Sequence, residues 1–275
     1  MCLYIYKHIL YIYIYIMTLI LRHHIGGLFS ISTVILFEII KHKKNSGLNP
    51  EILNSSNTYS WYRYTNNDIF YDFFKISDIN KLNNVSLKDF EYELYGGIQF
   101  MNYSTCKLDV YFKYTEVYFN LSDHVMNIYN TIISKYNIDL KNTCCLFLRG
   151  NDKATECRIP SYNKYIIKAT EILKADPNLK ILIQSDEKEF IDEMRKNFKN
   201  NIVLYDEIRV INKDIRRTVD NHGLTPKINH DYALKFLAIV YIMSKCKYVV
   251  CNSGNISFWI LMYRQHFNNF VQLHG

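Results

Sequence analysis

The residues best suited to chemistry are Arg149, Gly150, Asn151, Asp152 and Lys153, which follow directly on the apolar run 144–148, with Glu156 close behind. A short apolar run of that kind reads as a buried strand rather than a helix. A charged, glycine-containing turn at the carboxyl end of a buried strand is where α/β folds place their ligands. The Arg149 guanidinium offers a planar fork of donors that suits a phosphate. Glu156 stands near enough to work in the same crevice, and Asp152 either orients Arg149 by a salt bridge or caps the next segment. The plain alternative is a polar turn between a strand and a helix. Two later stretches end in the same manner. KILIQSDE (180–187) carries an apolar strand into Ser185, Asp186 and Glu187, and KYVVCNSGN (247–255) carries another into Ser253 and Gly254. Asp186 suits a helix N-cap ahead of Lys188. Ser253 and Gly254 either offer a hydroxyl and an N–H to an anion at a helix start or simply cap that helix.

These turns need elements to hold them. Strands are expected at 144–148, 180–184, 201–205 and 248–251, alternating with helices at 161–174, 188–198, 231–245 and 256–264. Pro160 and the Asp176-Pro177 pair punctuate the alternation. Such alternation implies a parallel sheet with right-handed crossovers. Residues 206–229 read as an irregular charged segment. In the first half a strand is expected at 18–22, then a loop with Gly26 and Gly27, and a helix over 28–41. A glycine pair opening a helix lets a ligand approach the backbone, or is an ordinary tight turn. A polar loop at 45–60 follows, then an aromatic stretch at 61–74, a turn at 95–103, a helix over 119–136 and a linker at 138–143. Beyond Gln272 there is little room for a tail that crosses back to the first half. The first residues, with Tyr-Ile repeated over 11–16, read as a dispensable extension ahead of Met17. The apolar stretch 9–21 is shorter than the ~20 residues that span a bilayer.

Composition narrows the class. The chain has 275 residues, 49% of them hydrophobic, and a net charge of +7. That suffices for a full core and argues against disorder. The positive balance suits an anionic ligand such as a nucleotide diphosphate, while the dense basic patches of nucleic-acid binders are absent; the cluster 41–44 reads as a solvated helix end. The seven cysteines are odd in number and contain no C-x-x-C pair. We read Cys144, Cys145, Cys246 and Cys251, in or beside apolar runs, as small hydrophobes, and the set as belonging to a reducing compartment, the cytoplasm or another, without a disulfide framework. Metal-ligand spacing is missing as well, so no metal is expected.

Taken together, the three strand ends resemble the nucleotide-sugar half of the fucosyltransferases that use GDP-fucose, in particular the α-1,6-fucosyltransferases and the related O-fucosyltransferase-like proteins. The residues that carry the likeness are Arg149, Asp152 and Lys153 with Thr155, Glu156 and Pro160; Ser185, Asp186 and Glu187; and Ser253 with Gly254. Asn252, Ser253, Phe258 and Trp259 are also similar to the ending of the α-1,2-fucosyltransferases. Phe147 stands where the family has His, Gly150 where it has a second Arg, and one residue fewer separates Lys153 from Thr155. The resemblance covers residues 144–264. It implies a two-domain α/β fold of GT-B type with parallel sheets, divided into a 17–140 acceptor-side domain and a 141–275 nucleotide-sugar domain. It also implies inverting transfer of fucose to the hydroxyl of a glycan or glycoprotein acceptor, without a cofactor or metal. Arg149 would stabilise the diphosphate, Glu156 would act as base, and Asp152, Asp186, Ser253 and Gly254 would help bind the donor. Arg216, Arg217, His222 and His230 fall where a loop would close over that donor. The alternatives are a non-catalytic nucleotide- or glycan-binding protein of the same fold and a transferase for another nucleotide sugar.

Overall fold

The computed structural model describes residues 17–91, 96–212 and 224–275. The expected extension 1–16 and the loop residues Arg216, Arg217 and His222 lie outside the described residues. In the first half, β1 (Thr18–Ile20) leads to helix α1 (Leu28–Ser46), and β2 (Ile52–Asn54) returns parallel to β1. The loop expected over 45–60 therefore contains a strand. A short helix α2 (Phe70–Phe73) runs into β3 (Phe74–Lys75), and helix α3 (Asp109–Tyr118) precedes β4 (Asn120–Leu121), which pairs antiparallel with β3. Helix α4 spans Asp123–Tyr136. The helix expected over 119–136 thus starts later, because Ser122 caps it by accepting from the Val125 N–H at 3.3 Å. Helix α3, which the sequence reading did not name, buries seven of its ten residues and leaves Asp109, Lys113 and Glu116 exposed. Its aromatic residues Tyr111, Tyr114 and Tyr118 face other elements on several sides.

The second half is the expected alternation, except that the helix expected over 231–245 begins earlier, at Pro226, inside the segment read as irregular, where Thr225 caps it by accepting from the Ile228 N–H at 3.4 Å. Its elements are β5 (Thr143–Leu148), α5 (Tyr162–Ala175), β6 (Lys180–Ser185), α6 (Lys188–Asn197), β7 (Asn201–Val203), α7 (Pro226–Lys245), β8 (Tyr248–Asn252), α8 (Asn255–Arg264) and β9 (Phe270–Leu273). They form a five-stranded parallel sheet in the order β7-β6-β5-β8-β9. Strand β9 is an addition to the sequence reading, being short and only half buried.

Strand parity decides what the sheet's two faces do. Cys144, Leu146 and Leu148 point to the face covered by α5 and α6, packing with Tyr165, Ala169, Phe190, Ile191 and Met194. Cys145 and Phe147 point the other way, with Leu182, Val249 and Cys251, into a core shared with α7, α8 and the first half. β5 is buried on both faces, which is why it reads as a continuous apolar run. Cys144 and Cys251 belong to this interior, and burial pushes their thiols up to about 12, so they pack rather than react.

Polar contacts fasten the halves. Trp259 Nε1 donates to the Phe29 carbonyl at 3.1 Å and to Thr33 Oγ1 at 2.9 Å, fixing α8 against the start of α1. His230, which the sequence reading put beside the ligand loop, is instead buried on α7 with Nε2 3.0 Å from Asp72 Oδ2. The end of the chain also crosses to the first half. Gln272 on β9 accepts from the Tyr103 N–H and donates to the Met101 carbonyl, both at 2.8 Å. No helix among the described residues is long and apolar enough to cross a membrane.

Candidate functional site

The strand order reverses between β5 and β8. From β5 the chain works outward through β6 and β7, and it then crosses to β8 and β9 on the other side. In a sheet wound this way the crevice beyond the carboxyl ends of the two switch-point strands is where ligands bind. Here the two ends are locked together by one side chain. Asn252 Oδ1 accepts from the Arg149 N–H at 2.9 Å, and its Nδ2 donates to the Arg149 carbonyl at 2.9 Å. Arg149 is thereby fixed at the mouth of the crevice, with its guanidinium ion-paired to Asp186 at the end of β6. The other Asp186 oxygen, Oδ1, accepts from the Gly150 N–H at 2.9 Å.

Behind this pair lies a buried carboxylate. Glu187 is 1% exposed. Its Oε1 accepts from the Asn151 N–H at 2.9 Å, and its Oε2 from the Tyr162 hydroxyl at 2.7 Å. Asn151 reaches it by adopting φ +30°, a region Asn tolerates better than most residues. A Cβ at position 150 would lie 2.1 Å from Glu187 Oε1. The glycine at this position is thus a consequence of Glu187 filling the space beside it. We expect Gly150→Ala to push Glu187 off its two donors and to cost about 1–3 kcal/mol, the range for a buried polar group left without its hydrogen bonds. Urea unfolding of the two proteins checks this, and an unchanged midpoint would contradict the close approach.

A cavity of about 360 Å³ opens in front of Arg149. Two helix starts reach it. Gly27 to Ser30 of α1 and Gly254 to Ile256 of α8 both line it, and neither helix has a side-chain cap. The Leu28 N–H of α1 is taken by the Tyr62 hydroxyl at 2.8 Å; the N–H groups that follow in each first turn, with the positive end of the helix dipole, make a setting that favours anions. Gly254 makes the turn into α8 at φ +151°, ψ 165°, a conformation essentially confined to glycine. Two further cations line the cavity. Lys153 is 6% exposed, and its Nζ is 2.8 Å from Gln99 Oε1 and 2.5 Å from Glu156 Oε2. Arg209 lies over the Tyr232 ring at 4.0 Å and donates to Asn229 Oδ1 at 3.2 Å. Burial lowers its pKa from the ordinary value, but a guanidinium keeps its charge in a protein.

Of the residues singled out from sequence, Arg149, Glu156, Asp186 and Gly254 line this cavity. Asp152 belongs to the turn Asn151–Thr155, and its side chain is outside the described residues. Ser253 faces elsewhere: its Oγ accepts from Gln272 Nε2 at 2.8 Å. The Gly254 N–H is also engaged, donating to the Tyr103 hydroxyl at 3.1 Å, so the anion-facing groups of that turn belong to the residues that follow. Phe258 and Trp259 are fully buried and serve packing. Lys153, Arg209, Gln99 and Gln184 were not nominated as site residues. Lys153 stands inside the motif, whereas Arg209 lies in a segment without periodicity, and nothing in the sequence marks Gln99. Among the described residues no group of three His, Cys, Asp or Glu side chains is placed to hold a metal.

Fold and site together define an α/β protein of GT-B type, with a cavity lined by Arg149, Lys153 and Arg209 at the switch point of its parallel sheet. No family model matches the sequence, and no curated protein matches it. Solved structures do. A NodZ α-1,6-fucosyltransferase soaked with GDP-fucose matches at 10% identity over 90% of this chain and 91% of that one, with a TM-score of 0.50. The fucosyltransferase NodZ from Bradyrhizobium matches at 9% identity over 85% and 87%, with a TM-score of 0.46. POFUT1 in its apo form matches at 16% identity over 61% and 50%, with a TM-score of 0.37. The match to NodZ soaked with GDP-fucose is one of fold and takes in both halves of the chain.

Proposed function

We propose that this chain is a glycosyltransferase that uses a nucleoside-diphosphate sugar, GDP-fucose in the first instance, and transfers the sugar to a hydroxyl of a glycan or glycoprotein with inversion. The observation that carries this reading is the convergence of Arg149, Lys153, Arg209 and two uncapped helix starts on one cavity at the sheet's switch point. That is a site for a dianionic diphosphate. The fold shared with a fucosyltransferase soaked with GDP-fucose supports the choice of donor.

In the proposed step the acceptor oxygen attacks the anomeric carbon as its bond to the diphosphate oxygen breaks. The departing negative charge grows beside the Arg149 guanidinium, which stabilises it. Glu156, partly exposed at the cavity, takes the proton from the acceptor hydroxyl. Lys153 orients that carboxylate, and is itself held by Gln99. In this reading the cations of the chain carry the leaving-group charge, and no metal or cofactor takes part.

One observation favours a second reading, a non-catalytic nucleotide-binding protein of the same fold. Phe147, 2% exposed, lines the cavity where the resembled family has His. The two are separated by incubating the protein with GDP-fucose and with a panel of other nucleotide sugars and measuring nucleotide release. The transferase reading expects release of GDP from GDP-fucose that rises with a suitable glycan. Binding without release from any donor would favour the second reading.

A further inference from the structure

Among the buried polar side chains, Gln184 stands apart. It is the penultimate residue of β6, 2% exposed, and lines the cavity. Its Nε2 has no hydrogen-bond partner among the described residues. A buried amide left in that state costs free energy that the folded chain recovers only when something supplies the missing acceptor. The β5–β6 register sets Gln184 beside Phe147. Both therefore point to the sheet face that looks toward α7, where Tyr232 and Phe236 also line the cavity and stack at 5.6 Å. A wall of aromatic side chains, Phe147, Tyr232 and Phe236, with an unpartnered amide beside them suits a heteroaromatic ring read along one edge.

We infer that Gln184 is the base-reading residue of the cavity, donating from Nε2 to a ring carbonyl oxygen of the nucleotide, as guanine and uracil both present. The inference rests on the nucleotide-sugar reading and deepens it. Arg149 and the helix starts bind the diphosphate whatever base it carries, and Gln184 favours a base with a ring carbonyl over one, such as adenine, that lacks it.

The test uses Gln184→Leu, which keeps the volume and removes the amide, with GDP, UDP and inorganic pyrophosphate as calorimetric probes. Affinity for whichever of GDP and UDP the wild type prefers should fall about tenfold, the effect of one lost hydrogen bond inside a cavity. Affinity for pyrophosphate should not change. The ligand-free variant should melt at the same temperature or higher, because an apolar group replaces an unsatisfied buried amide. A side chain whose role is to hold the fold together would lower that temperature instead. Equal losses for pyrophosphate and the nucleotide, or no loss for either, would overturn the inference while leaving the transferase reading intact. If the wild type binds pyrophosphate, GDP and UDP alike, base reading by Gln184 fails. If it binds none of them, both readings fail. Gln184→Glu, which keeps the polarity but removes the donor, should show the same selective loss if the leucine variant does not fold.

Discussion

Arg149→Ala is expected to lower turnover by about 10²- to 10³-fold, the range for losing a group that stabilises the departing charge in a transition state. The guanidinium is fixed on both sides. Its backbone is locked by Asn252, and its side chain is paired with Asp186. Little reorganisation is therefore needed when charge develops at the leaving oxygen. The same rigidity makes Arg149→Lys a poor substitute. Lysine keeps a charge but cannot pair with Asp186 and present a second donor to the phosphate in one plane. Steady-state rates and GDP affinity measured on both variants, with thermal melts to establish folding, check this. Variants that fold, bind GDP and turn over as the wild type does would show that the leaving-group site is elsewhere.

The second large effect is expected at Glu156. Glu156→Gln retains shape and removes the basic oxygen, so transfer should fall by about 10²- to 10⁴-fold, the span of general acid–base contributions. GDP affinity should stay close to that of the wild type. Glu156 touches Lys153, and the two uncapped helix starts and Arg149 remain to hold the diphosphate. A fall in GDP affinity as large as the fall in rate would mean that Glu156 serves donor binding through Lys153 and not the acceptor step.

The legible part of this protein was its buried sheet. Strands β5, β6 and β8 are apolar on both faces, so each appears in the sequence as an uninterrupted run with a polar turn at its end. Because the ligand crevice of such a sheet lies at those ends, Arg149, Asp186 and Glu156 could be nominated without any knowledge of strand order. What the sequence does not carry is the pairing across the molecule. Gln99 acquires its place only when the first half brings it to Lys153 and Asn255. Ser253 is drawn away from the cavity by Gln272, a residue of the half-buried β9. Gly150 reads as a lost arginine against the resembled family, yet the buried Glu187 leaves no space for a side chain there. Gln184 leaves a faint signal, a polar residue closing an apolar strand in register with Phe147.

The central claim is that the cavity in front of Arg149 is a nucleoside-diphosphate site. Calorimetric titration of the wild-type protein with GDP tests it most directly, with Arg149→Ala titrated under the same conditions. The account predicts saturable binding of one GDP per chain, with affinity strongly reduced in the variant. Heats no different from dilution in the wild type, or equal binding by both proteins, would contradict it.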